Sequence, residues 1–269
     1  MFLENIAQNA NLFFLILARV FAMLAVTPLF SSEALPDVTR IGLAFFTAVV
    51  VFPWMQSSGY PIPDNGLQYV GLLLGEALLG LLQGFFLVLV YSAFQMSGTF
   101  IAQQMGFNAS EVYDPLAQIE LPVLGQLLNL SAMMIFISGG GFQSVFLVNV
   151  WQSFKALRAI DFVSQPGFVN QTLLTGLGEM FQRSFLLSLP IFGILLLVTL
   201  ALGLIGKAAP QMNLMMMGFP ISIGVGFVVM LLAMPYLIQA FNAVISNGFN
   251  SLEELFKTIS PPNLRGALQ

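Results

Sequence analysis

The chain runs to 269 residues, 58% hydrophobic and 7% charged, where soluble domains carry roughly a quarter charged residues, and its mean hydropathy is +0.90. So few charges cannot solvate a globule of this length, which leaves lipid or other subunits to cover most of the surface. A net charge of −4 with no Lys- or Arg-rich run argues against a nucleic-acid partner, and the lack of Cys and His removes disulfides, thiolate metal sites and Ser-His or Cys-His catalysis.

The N-terminus carries Glu4 instead of a basic region and has Arg19 inside its apolar run, so no removable signal peptide is expected. Residues 11–30 form the first apolar segment, about 20 residues or about 30 Å of helix, enough to cross a bilayer. Arg19 is the first anomaly, because a cation at that depth costs roughly 2.5–3.5 kcal/mol on insertion scales unless protein surrounds it. Pairing with a carboxylate for packing is the plain reading; a role in ion or substrate passage is the other.

A second run extends from Ile41 to about Met55, and Asn65-Gly66 marks the next turn. From Leu67 to about Met96 comes the longest segment, with Gly71, Gly75, Gly80 and Gly84 in two G-xxx-G pairs that let another helix approach closely. Glu76 lies between the pairs. A buried carboxylate there is a candidate functional site, and pairing with Arg19 explains it equally well.

The stretch Gly98 to Pro122, GTFIAQQMGFNASEVYDPLAQIELP, is a polar, turn-rich loop with three acids and no Lys or Arg. Its Gln103, Gln104 and Asn108 cannot stay unpaired in hydrocarbon, yet Met105, Phe107, Val112 and Tyr113 are bulky and apolar. A loop with both characters suits a surface that touches something.

Val123 to Ile137 is apolar and meets Gly139-Gly140-Gly141, where a helix should break. Residues 161–182 look the most soluble, with Glu179 and Arg183 spaced as an i,i+4 pair. Residues 184–206 and 219–245 form the last two apolar segments, with Pro190, Gly193, Gly224, Gly226 and Pro235 inside them. Between them a second loop, Gly206 to Pro220, is rich in methionines, which fill irregular gaps or line adaptable surfaces. The tail after Ile245 reads as a short amphipathic helix with a frayed end. If all segments crossed, Arg40 and Lys207 would share one side and Lys155, Arg158, Arg183, Lys257 and Arg265 the other, which places both termini in the cytoplasm.

Taken together, the two loops resemble the FliR family of flagellar protein-export gate subunits, whose injectisome relatives are called SctT. The resemblance is carried by Gly98-Thr99-Phe100-Ile101, Gln104-Met105-Gly106, Tyr113-Asp114-Pro115 and Leu121-Pro122-Val123-Leu124. It continues in Ala209-Pro210-Gln211-Met212-Asn213 and Gly218-Phe219-Pro220, with Arg19, Thr27-Pro28 and Leu35-Pro36 near the start, and it covers essentially the whole chain. Gly218-Phe219-Pro220 favours the flagellar branch, since injectisome members usually carry Ser-Met-Pro there.

The resemblance implies an all-α, membrane-type helical protein, which agrees with about six long apolar segments, several interrupted by Gly or Pro. It implies a FliP-like helical part over 1–180, a FliQ-like helical hairpin over 181–245 and a tail over 246–269. It implies no enzymatic activity and no cofactor, assembly with FliP-like and FliQ-like subunits, and association with FlhB-like and FlhA-like components and unfolded flagellar substrates. The site would be the bacterial inner membrane at the flagellar basal body. Segments that look transmembrane could then sit raised out of the bilayer plane, with loop 206–220 toward the cytoplasm, against the charge count.

By the same resemblance the first loop is a plug inside the export channel, with Met105, Gly106, Phe107, Val112 and Tyr113 as its closing positions. Ser110 and Glu111 stand where family members often have more Phe. Two competing readings come from the residues themselves. Arg19, Glu76 and the interrupted helices would suit a secondary transporter with a midplane site. An intramembrane aspartyl protease would need a second aspartate beside Asp114, and Asp37, Asp64 and Asp161 all lie in polar connections.

Overall fold

The computed structural model describes residues 2–31, 35–106, 123–156, 159, 166–211 and 214–259. Every regular element among them is helical: α1 (Phe2–Gln8), α2 (Ala10–Val26), α3 (Pro28–Ser31), α4 (Asp37–Ser57), α5 (Gly66–Met105), α6 (Val123–Ser138), α7 (Gly141–Ser144), a π-helical segment (Val145–Gln152), α8 (Ser153–Ala156), α9 (Pro166–Ala208) and α10 (Leu214–Ile259). Helix dominates because an apolar environment leaves every backbone N–H and C=O to be satisfied within its own segment.

Four helical stretches are long and apolar enough to span a membrane, namely Asp37–Ser57, Gly66–Met105, Leu173–Ala208 and Met216–Glu254, and Val123–Ser138 with Gly141–Lys155 makes a fifth if counted as one broken span. The first apolar segment is shorter than its composition suggests. Its helix ends at Val26 after 17 residues, where Thr27 turns the chain and donates both its N–H (3.1 Å) and its hydroxyl (2.7 Å) to the Met23 carbonyl.

The helices otherwise outrun the segments read from sequence. Gly98 to Met105, the first third of the polar loop, is the last part of α5, and Gly218-Phe219-Pro220 lies in the first turns of α10. The connection between α9 and α10 is correspondingly shorter than 206–220, and the C-terminal amphipathic stretch is the end of α10. Helices run on through Pro53, Pro190, Pro220 and Pro235, each of which removes one hydrogen bond without ending its helix. The break at the glycine triplet is present: α6 stops at Ser138, and Gly140 takes φ +75°, a left-handed conformation that glycine adopts without penalty.

The chain divides into two units, Met1–Leu89 with Gly140–Gly176 and Ser246–Gln269, and Val90–Gly139 with Leu177–Ile245. In the first, Leu15, Leu72, Leu79, Phe86, Ala159 and Leu252 form an apolar cluster, and α2 packs mainly on α4, where the Phe13 ring meets Phe45 and Phe52 edge-on. Trp54 lies 4.7 Å from Trp151, with the Lys155 ammonium over both rings.

The two G-xxx-G pairs serve the first unit unequally. A side chain at Gly80 would run into the Arg19 carbonyl and the Ala22 side chain, and one at Gly84 would stand 2.7 Å from the Met23 carbonyl. Gly75 abuts Ala159, whereas Gly71 faces open space. Close approach of α5 to α2 therefore rests on Gly80 and Gly84, in line with small residues at membrane helix interfaces.

In the second unit, Gly98 meets Gly125 so closely that a Cβ on Gly98 would lie 2.5 Å from the Gly125 Cα. Phe94 lies 4.5 Å from Phe241, Tyr91 5.6 Å from Phe136, and Phe100 6.4 Å from Phe185. The i,i+4 pair Glu179–Arg183 closes at 2.8 Å, and Arg183 also reaches the Val244 carbonyl at 3.4 Å, so it ties α9 to α10 as well as decorating α9.

Gly80→Ala should lower the unfolding free energy of the purified protein by about 1–3 kcal/mol, through overpacking against backbone. Gly71→Ala should leave it unchanged or raise it by up to about 1 kcal/mol through helix propensity. Thermal unfolding in one detergent would compare them, and equal destabilisation would contradict the packing described.

Candidate functional site

The described candidates that contact one another fall at two places, one in each unit. The first is a buried polar cluster. α2 contributes Arg19 and α5 contributes Glu76, each about 1% exposed, and Arg19 Nε donates to Glu76 Oε2 at 2.6 Å. The pairing expected from their positions is therefore made.

Groups that sequence reasoning did not single out complete the cluster. Tyr60, in the connection between α4 and α5, donates its hydroxyl to Glu76 Oε1, and the Ala159 N–H donates to the same oxygen at 3.3 Å. Arg19 Nη1 reaches Ser153 Oγ at 3.4 Å, and the guanidinium carbon sits 4.1 Å from the centroid of the Phe154 ring. Ser153 and Phe154 lie more than 130 positions from Arg19, so no local pattern could have found them; only their partnering in space does.

Burial first, and then the Glu76 carboxylate, push the Tyr60 hydroxyl well above its ordinary value, against the opposing charge of Arg19. Tyr60 thus stays a neutral donor through the physiological range. Its contribution to stability is complete below the ordinary tyrosine value near 10 and is lost only as pH climbs beyond it.

Chemically, the cluster is saturated. The carboxylate accepts from a guanidinium, a phenol and a backbone amide, and the cation lies on an aromatic face. Such an arrangement holds elements together and has neither an open lone pair at Glu76 Oε1 nor a free approach to Arg19.

The second place is the junction where α5 ends. Met105 is fully buried, and its Cε, Cγ and Sδ crowd the backbone of Gly226, standing 2.7–2.8 Å from where a Cβ there would be. Gly106 takes φ +80°, and the Phe219 ring fills the space a side chain on it would need, at 2.5 Å. Just before them, Gln104 Nε2 donates to Thr199 Oγ1 at 3.3 Å. Gly226 and Thr199 join the site only through this packing.

Of the remaining positions, Phe107, Val112 and Tyr113 lie outside the described residues, as do Met212 and Asn213. Pro210 and Gln211 form the turn after α9, and Gly218, Phe219 and Pro220 belong to α10. Met105, Gly106 and Phe219 are thus brought together, while Pro210 and Gln211 are joined to them by no described contact.

Removing one member of the buried pair leaves a charge without its counter-ion, so Glu76→Leu or Arg19→Met alone should each cost about 3–5 kcal/mol of stability. The double change should restore a large part of that loss, and Tyr60→Phe should cost about 1–3 kcal/mol. A double-mutant cycle by denaturation in detergent reads this; additive single losses would mean that the pair is not coupled.

Sequence comparison places these features in a lineage. Residues 10–248 match the family described as bacterial export proteins, family 1. The chain is 30% identical over 251 residues to the flagellar biosynthetic protein FliR of Bacillus subtilis, covering 92% of this chain and 95% of that one. It is 29% identical over 247 residues to FliR of Borreliella burgdorferi, covering 91% and 90%, and 27% identical over 251 residues to FliR of Escherichia coli, covering 93% and 94%. The match takes in α2 through most of α10, with both the buried pair and the Met105–Gly226 junction inside it, and the chain belongs to the bacterial export protein family 1, the FliR family.

Proposed function

We propose that this protein is a subunit of the flagellar type III export gate, part of the membrane pore that passes unfolded flagellar proteins, with the segment 98–122 acting as its plug. The observation that carries the reading is the family match over 10–248, with relatives named as flagellar biosynthetic proteins aligned over nine-tenths or more of their length.

The physical features suit such a role. Only 22% of the apolar window in Leu173–Ala208 is buried within the chain, and Leu197, Leu200, Leu204, Val228, Leu231 and Leu232 stand exposed, as expected of faces that lipid or FliP-like and FliQ-like subunits would cover. The division into a FliP-like part over 1–180 and a FliQ-like hairpin over 181–245 belongs to the same proposal, as does a location in the inner membrane at the basal body.

Because α5 continues to Met105, the closing part of the plug would be residues 107–122, with Phe107, Val112 and Tyr113 acting by bulk. Met105 and Gly106 would serve as its base: a side chain clamped on Gly226 and a left-handed turn under Phe219. Passage of a chain through such a pore needs no bond to be made or broken in this subunit. The transporter reading draws less support, since Arg19 and Glu76 already satisfy one another and their neighbours.

Deleting Gly106 to Tyr113 in cells that assemble the export apparatus should make the membrane leak small ions, read by dye or potential-sensitive fluorescence. Tight membranes with normal secretion would sink the plug proposal. Gly226→Leu should displace Met105 and reproduce part of that leak while the protein still assembles, whereas Gly224→Leu, where nothing crowds the glycine, should not.

A further inference from the structure

The first unit buries two polar side chains that the ion-pair cluster does not use. Phe30, in α3, meets Phe142 at 5.7 Å between ring centroids, and Arg19 reaches Ser153, so the chain from Arg19 to Phe30 runs opposite to Gly141–Ala156, which places Asn149 on the Met23 side of Ser153. Gly80 abuts the Arg19 carbonyl and Gly84 the Met23 carbonyl, so α5 runs parallel to α2 and Gln83 is level with Met23. Gln83 also lies seven residues beyond Glu76, two turns along the same helix face, and Asn149 lies four before Ser153, about one turn along its own.

Both side chains are sealed in: Gln83 is 2% exposed and Asn149 0%. The oxygen and nitrogen of each carboxamide have no hydrogen-bond partner in the protein, and neither does the buried Oε1 of Gln152, three residues beyond Asn149. Buried amides in that condition are costly, and native interiors satisfy them.

We infer that Gln83 and Asn149 hold ordered water between α2, α5 and the π-helical segment, one layer away from the Arg19–Glu76 pair. The donor set selects this ligand. Each carboxamide presents two N–H donors and one acceptor oxygen. A cation would use only the oxygens and strand the N–H groups; an anion would do the reverse. Water donates and accepts together and makes two to four bonds at such sites.

The charges near that layer, Arg19 and Glu76, offset each other and leave no net charge to favour an ion. The π-helical backbone at Val145–Gln152 fits the same account, since a wider turn occurs where a helix must present groups to a site. The polar cluster then continues from the Tyr60 connection through the ion pair to a hydrated layer, and the water fixes the rotation of α5 against the segment that carries Ser153.

The test is a map of the unaltered chain in its assembled membrane complex at a resolution that shows ordered water. The expected result is a density peak within hydrogen-bond reach of both the Gln83 and Asn149 carboxamides. Carboxamides bonded directly to each other, or a dry apolar contact, would overturn the inference. Independently, Gln83→Met and Asn149→Leu should each lower the thermal midpoint by a few degrees, and the double variant should lose clearly less than the sum. Additive losses would show that the two amides share nothing and would overturn it too. Neither readout depends on export activity, so failure of the plug proposal would leave it standing.

Discussion

A guanidinium and a carboxylate shut away from water must find each other, and in the first unit that requirement organises everything near it. The Arg19–Glu76 pair brings together α2, α5, the Tyr60 connection and the chain around Ser153 and Ala159. Leaving either charge alone in such an interior costs more than most single packing defects, so misregistered arrangements of these segments are strongly penalised. Gly80 and Gly84 make the required approach possible, since α2 and α5 could not come close enough for a short ion pair if a side chain stood between them. Charge sets the register, and the absence of side chains lets it close.

The second unit is held by other means. Its described ion pair, Glu179–Arg183, is partly exposed and local to one helix. Cohesion comes from aromatic contacts such as Phe94 on Phe241 and from glycines that admit backbone or thioether atoms, as at Gly98 on Gly125 and Gly226 under Met105. Between apolar helices in an apolar surrounding, dispersion and close fit replace the hydrophobic drive that works in water. Contacts of that kind are individually weak and depend on shape.

This contrast bears on function. In the export role proposed above, the subunit would need a durable frame and a replaceable seal, with no reactive group in either. The saturated cluster has the character of a frame, because every strong donor around Glu76 is already committed. In that proposal the junction at Met105 and Gly106 would be the base of the seal: a methionine, adaptable in shape, held on a glycine surface, beside a glycine in the left-handed conformation. Outward-facing leucines on α9 and α10 leave broad apolar faces for neighbours.

Composition determined that the protein is of membrane type, because 7% charged residues cannot cover a soluble surface, and the length of the apolar runs made those segments helical. Local pattern also determined the break at Gly139–Gly140, the Glu179–Arg183 pair, and the need for a partner for each of Arg19 and Glu76. Helix ends were legible only in part. Polar residues at Thr99 to Gln104 read as loop, yet they continue α5, because Thr99 returns its hydroxyl to the Gln95 carbonyl and Gln104 finds Thr199 on another helix. What tertiary structure decided was the company each residue keeps: Tyr60, Ser153 and Ala159 around the ion pair, Gly80 and Gly84 but not Gly71 as contact glycines, and Gly226 beneath Met105. The physical reason is that polarity and periodicity act over one or two helical turns, whereas satisfaction of a buried charge or a close backbone approach is settled by segments distant in the chain.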